Sequence, residues 1–179
     1  MAVTLLITDR PKPMAKPQLS KVISGGQTGV DRAALEVALF LEIPHGGWCP
    51  KGRRAEGGPI PMTFDLIETA SFNYAVRTEK NVVQSDGTLI LFRKIITRGT
   101  GLTVKFAKRH KRPFLCIDLA EISDDEDATD AASQEILGWL AKENINVLNV
   151  AGPRESTTPN INSQSHSLLL NTFADIRVA

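Results

Sequence analysis

Residues 24–32, Ser-Gly-Gly-Gln-Thr-Gly-Val-Asp-Arg, set three glycines between a short apolar run, Val22-Ile23, and an amphipathic stretch. Glycines at a strand-to-helix junction let backbone N–H groups approach an anion where the helix dipole is positive. The spacing is neither G-x-G-x-x-G nor a Walker A loop, because no Gly-Lys-Ser/Thr follows. Thr28 is placed to cap the helix, and Asp31 three residues on completes a variant capping box. A tight turn that binds nothing needs only the glycines. Ser24, Gln27, Asp31 and Arg32 add polar chemistry beyond that, so Gly25, Gly26, Gln27, Thr28, Gly29, Asp31 and Arg32 are candidate ligand contacts.

A second glycine-rich stretch, residues 46–56, gathers Lys51, Arg53 and Arg54 beside flexible glycines. Such cations suit a phosphate or another anion, which makes Lys51 and Arg53 candidates. Trp48 either stacks on a flat ligand or fills the core, the latter favoured. Cys49 has no Cys or His beside it and is expected to be structural, so no metal site is named. Tyr74, Arg77 and Asn81 recur at i, i+3 and i+7, which is one face of a helix. Arg77 and Asn81 therefore face either a ligand or solvent. A third junction, residues 98–103, offers Gly99 and Thr100, with Thr100 as the expected helix N-cap. A fourth loop, residues 152–156, supplies Arg154.

No Ser-His-Asp set, paired carboxylates or H-E-x-x-H appears, so no catalytic residue is named. The cations from Lys105 to Arg112 sit where a helix ends and complement its dipole. The acidic run at 124–127 lacks calcium-loop spacing. With 21 Lys+Arg against 20 Asp+Glu the net charge is +1. That balance argues against a general attraction to nucleic acid or anionic lipid.

Apolar periodicity outlines the elements that must position these residues. Val30, Ala34, Val37 and Leu41 fall at i, i+4, i+7 and i+11, predicting a helix over 31–41. Helices are also expected over 74–83, over 99–111 with Leu102 and Phe106 inward, and over 161–173. Another spans 131–142, with Ala132, Ile136, Trp139 and Leu140 inward. Strands are expected at 22–23, 45–48, 88–92, 113–118 and 147–151. This alternation predicts an α/β, Rossmann-like fold of three layers, a mostly parallel central sheet flanked by helices on both faces. Right-handed crossovers bring the strand C-terminal ends, and the four loops, to one edge.

The 179 residues, 42% of them hydrophobic, suit one domain over 20–179. Residues 1–19, with Pro11, Pro13 and Pro17, read as an extension, either a flexible leader or an arm on a neighbouring subunit. No stretch approaches the ~20 apolar residues of a membrane span. Asp9, Arg10 and Pro11 interrupt the first apolar run, so no signal peptide is expected. With two isolated cysteines, the expectation is a cytoplasmic protein.

The ordered motifs resemble the molybdenum-cofactor carrier family, within the Rossmann-like group that includes the Lonely Guy and lysine-decarboxylase-like proteins. The resemblance runs from about residue 22 to 161. It rests on residues 24–32, 46–53, 77–81 (Arg-Thr-Glu-Lys-Asn), 85–88 (Ser-Asp-Gly-Thr), 99–103 and 149–156 (Asn-Val-Ala-Gly-Pro-Arg-Glu-Ser). It implies a homo-oligomer, expected to be a tetramer, that holds molybdenum cofactor (Mo-molybdopterin) as cargo and passes it to apo-molybdoenzymes. Lys51, Arg53, Arg77 and Arg154 would meet the anionic groups, with Gln27, Asp31 or Asn81 at the pterin edge. The Lonely Guy pattern carries a glutamate where this chain has Thr103. A hydroxyl cannot replace a carboxylate as acid or base at neutral pH, which favours a carrier over a phosphoribohydrolase. The alternative is a protein that binds or cleaves a nucleotide.

Overall fold

The computed structural model describes residues 17–122 and 126–178. The described chain opens with β1 (Gln18–Leu19) and β2 (Lys21–Ile23), then forms α1 (Val30–Phe40) and β3 (His45–Cys49). A single 3-10 turn (Lys51–Arg53) leads into a small hairpin of β4 (Arg54–Ala55) and β5 (Gly58–Pro59), followed by β6 (Leu66–Glu68). Next come α2 (Tyr74–Gln84), β7 (Gly87–Phe92), α3 (Arg98–Arg109) and β8 (Phe114–Asp118). The chain finishes with α4 (Glu126–Glu143), β9 (Val147–Ala151), α5 (Ile161–Ala174) and β10 (Arg177–Val178).

Six strands form one sheet in the order β6-β3-β2-β9-β7-β8, with every neighbouring pair parallel. β1 and β10 make a separate parallel pair. A parallel strand covered on both faces must be apolar throughout, and Leu89, Ile90 and Leu91 of β7 are fully buried. Leu89 and Leu91 join Val22, Leu148 and Val150 in a core closed by α1, α4 and α5 through Val37, Ile136 and Phe173. α2 and α3 pack together on the opposite face around Val82, Phe106 and Ala107. The architecture is the three-layer, Rossmann-like α/β sandwich that the periodicity predicts.

The helices and strands expected between residues 22 and 173 are present, with their ends moved. The largest shift is in α4, which starts at Glu126 rather than 131. Glu126 and Asp127 occupy its first turn, where the dipole favours carboxylates, so part of the expected acidic loop is helix. Asp124 and Asp125 lie outside the described residues, as do residues 1–16 of the expected extension. Within that extension, Leu19 is fully buried in the main core.

From β2 the chain moves outward to β3 and β6 on one side, and β7 is followed by β8 on the other. β9 returns between β2 and β7. Strand order therefore reverses at the centre, where open α/β sheets form their crevice.

Candidate functional site

The loops after β2 and β9, α2 and the first turn of α3 enclose a cavity of about 420 Å³. Ligand pockets typically measure about 300–1,000 Å³. Tyr74 and Arg77 line it from α2, and Arg98, Gly99 and Thr100 from α3. Gln27 and Asp31 line it from the start of α1, and Arg154 from the loop after β9. Three guanidinium groups against one carboxylate give it positive character, while Ala75, Leu102 and Ala151 supply apolar wall.

Asp31 is buried at 3% exposure. Its Oδ2 accepts from Arg77 Nη1 at 2.8 Å and from the Gln27 amide at 3.4 Å. Burial pushes the Asp31 carboxyl above its ordinary value, against the opposing pull of Arg77 and the amides of Gln27 and Gly152. The pair requires glycine at position 25. A Cβ there would stand 1.5 Å from Arg77 Nη1 and 2.8 Å from Asp31 Oδ2. The Arg77 guanidinium lies 6.0 Å from the Tyr74 ring centre, and its Nε is buried without a hydrogen-bond partner among the described residues.

The two helix N-termini at the cavity differ. α1 starts at Val30 behind Gly29, whose φ of 77° favours glycine, and no side chain caps it. Thr28 is thus not the cap: its hydroxyl donates to Glu56 and accepts from the Glu155 amide at 3.3 Å. Three amides here are spent internally. Gln27 donates to Asp31, Thr28 to Gln27 Oε1 at 3.0 Å, and Val30 to the Pro153 carbonyl at 3.3 Å. In α3 the N-cap is Thr97 rather than Thr100, and again no side chain caps the helix. Its first-turn residues Arg98, Gly99 and Thr100 line the cavity, and first-turn amides have no partner within a helix.

Glu56, at the tip of the β4–β5 hairpin, ties the rim together. Its carboxylate accepts from the Thr28 hydroxyl, from the Ser156 amide at 3.0 Å and from the Ser156 hydroxyl at 2.5 Å. Arg154 Nε lies 3.6 Å away. Slight desolvation pushes the Glu56 carboxyl up, but the hydrogen bonds from Ser156 and Thr28 outweigh it and hold the group below its ordinary value.

Of the candidates read from the sequence, Gln27, Asp31, Arg77, Gly99, Thr100 and Arg154 share the cavity with Thr103. Gly25 lies against Arg77, and Gly26 (φ 73°) and Gly29 shape the turn. The others are committed elsewhere. Arg53, expected to meet an anion, is buried at 8% exposure and donates to four carbonyls, those of Ile60, Pro61, Phe64 and Leu66. Asn81 brackets Trp48, accepting from its amide at 2.7 Å and donating to its carbonyl at 3.0 Å. Arg32 donates to the Gly26 carbonyl and covers Phe64, and exposed Lys51 lies over Phe72.

Trp48 is half-buried rather than in the core; its Nε1 donates to Gln84 and Lys80 covers its ring. Cys49 is fully buried, and that burial pushes its thiol up. Arg98, Tyr74 and Thr157 line the cavity without having been singled out as contacts. For Arg98 the signal was its place beside Gly99. Among the described residues no group of three or more His, Cys, Asp or Glu could hold a metal ion. No described helix is long and apolar enough to cross a membrane.

Fold and cavity define a Rossmann-like α/β protein with a positively charged, ligand-sized pocket at the carboxyl edge of its sheet. The description of the circularly permutated YpsA SLOG family matches residues 22–173, and the chain belongs to that family. A crystal structure from Syntrophus aciditrophicus SB, named "putative molybdenum carrier protein", is 48% identical in sequence. It superposes with a TM-score of 0.83, covering 89% of this chain and 97% of its own. No curated protein matches.

Proposed function

We propose that this chain binds, protects and transfers molybdenum cofactor as a non-enzymatic carrier. The observation that carries the reading is the cavity's composition: Arg77, Arg98 and Arg154 line it together with the first turn of α3 and one buried carboxylate, Asp31. That set suits a ligand with a phosphate and an oxo-metal end. Tyr74 and Leu102 provide a wall for a flat ring, with Gln27 also lining the cavity. The name of the 48% identical structure supports the same cargo. Thr103 lines the cavity, and the resemblance to the Lonely Guy pattern sets it where that pattern has a glutamate, which supports holding over cleaving.

In this reading the recipients are apo-molybdoenzymes in the cytoplasm and the assembly is a homo-tetramer. Residues 20–179 act as one domain, which residues 18–19 join through β1 and the buried Leu19. The test is anaerobic titration with isolated molybdenum cofactor beside AMP, ADP and ATP, read by native mass spectrometry. Selective retention of the cofactor, abolished in Arg77→Ala with Arg98→Ala and followed by activation of an apo-molybdoenzyme, is expected. Preference for a nucleotide overturns the cargo assignment.

A further inference from the structure

The hairpin that carries Glu56 is fixed at its base and clasped at its tip. At the base, Arg53 donates to the carbonyls of Ile60, Pro61, Phe64 and Leu66. Ala55 packs on a buried cluster, but at the tip Gly57 and Gly58 have positive φ and open space around them, so the outer side of the turn that carries Glu56 has no packing. What holds it is its own carboxylate, which collects donors from two loops of the cavity rim: Thr28 before α1, and Ser156 after β9. The backbone amide of Glu56 adds a bond to Gln27 Oε1 at 2.9 Å.

The same carboxylate attracts Arg154, but weakly. The Nε–Oε2 separation is 3.6 Å, and the Arg154 side chain is 52% exposed against 22% for Glu56. Arg154 is a cavity-lining cation whose charge is partly answered by the rim. It contrasts with Arg77, whose partner Asp31 is buried and 2.8 Å away.

We propose that Glu56 is a positioning residue that latches the rim and holds Arg154 back, and that an anionic ligand takes Arg154 over from it. This rests on the reading of the cavity as an anion site, though not on the identity of the cargo. Ligand entry then leaves Glu56 on Thr28 and Ser156 while Arg154 turns inward. The latch moderates affinity, as a protein that must release its ligand requires.

The test is a double-mutant cycle with inorganic pyrophosphate as the probe, measured by calorimetry on wild type, Glu56→Gln, Arg154→Ala and the double variant. An exposed ion pair shifts an equilibrium by at most about fivefold. Glu56→Gln is therefore expected to bind pyrophosphate about two- to fivefold tighter than wild type. The gain is expected to vanish in the Arg154→Ala background. Ser156→Ala loosens the same loop without freeing Arg154 and is expected to show no gain, which separates the latch from general slackening. If Glu56→Gln unfolds, Glu56→Asp, one methylene shorter, replaces it in the cycle.

Unchanged or weaker binding in Glu56→Gln, while Arg154→Ala weakens wild type, overturns the latch. So does a gain that persists without Arg154, which would be simple relief of charge repulsion. Absence of pyrophosphate binding to every protein overturns the latch and the anion reading of the cavity together. A cycle that holds while isolated molybdenum cofactor fails to bind supports the latch and refutes only the cargo.

Discussion

Replacing Arg53 separates the ligand-cation role expected from its sequence context from the structural clasp that its hydrogen bonds make. In the structure its Nε and Nη1 donate to Ile60 and Leu66 at 3.0 and 3.1 Å, and its Nη2 to Pro61 and Phe64 at 2.8 and 2.9 Å. The acceptors at Ile60, Phe64 and Leu66 sit in buried residues, while Pro61 is exposed and can take water instead. A buried acceptor stripped of its partner costs about 1–3 kcal/mol, so three at the low end give about 3 kcal/mol for Arg53→Ala. For a chain of this size that is a fall in Tm of roughly 6–12 °C.

Arg53→Lys is expected to recover little, since one ammonium cannot serve four carbonyls arranged for a planar fork. The assay is thermal unfolding by circular dichroism, paired with cofactor affinity measured well below Tm. Affinity is expected to stay within about twofold, because Arg53 does not line the cavity and a pair without contact contributes little. A Tm held within about 2 °C of wild type, together with a tenfold loss of affinity, would refute the reasoning, since it means less than about 1 kcal/mol of stability lost. It would return Arg53 to the ligand.

Gly25→Ala puts a Cβ where Arg77 Nη1 lies, and is expected to lower ligand affinity at least tenfold, about 1.4 kcal/mol, with the fold kept. Calorimetry beside a circular dichroism spectrum checks it. The two rim carboxylates should respond oppositely to acid. Asp31, raised by burial, binds its proton more tightly when folded, so its contribution to stability falls as pH rises from the ordinary carboxylate value through its raised one. Glu56, lowered by its hydrogen bonds, contributes stability that is present at neutral pH and lost as pH falls through its depressed value. Carboxyl-carbon NMR titration is expected to place the Asp31 midpoint above 3.8 and that of Glu56 below 4.5. An Asp31 midpoint below 3.8 would contradict the burial argument, and a Glu56 midpoint above 4.5 the hydrogen-bond argument.

The large elements were legible because burial writes itself into residue spacing. α1 shows Val30, Ala34 and Val37 at helical intervals and all three are buried, while β7 is an unbroken apolar run. β6 was not legible: three residues with only Leu66 buried carry no period, and register comes from pairing with β3. The hairpin of β4 and β5 has two residues a side and is defined by Gly57 and Gly58. The site was legible as a set of polar residues beside strand-end glycines, which is how Arg77 and Arg154 stand out. Which donors are already spent was not, because their partners lie far along the chain. Asn81 is consumed by Trp48, 33 residues away, and Arg53 by carbonyls that no side-chain pattern reveals. The capping assignments failed for a related reason. Thr28 precedes a glycine in a left-handed conformation and turns to Glu56 instead.

The closed ring of hydrogen bonds at the start of α1 gives the cavity a direction. Gln27 acts as a stopper, its carbonyl oxygen occupying the Thr28 and Glu56 amides as a visiting oxyanion would. The first-turn amides of α3, which have no partner within a helix, face the same cavity from its other side. A molecule with one charged terminus and one flat terminus therefore meets an asymmetric socket. Its charged end is better served at α3, so the two helix ends bias the polarity of entry.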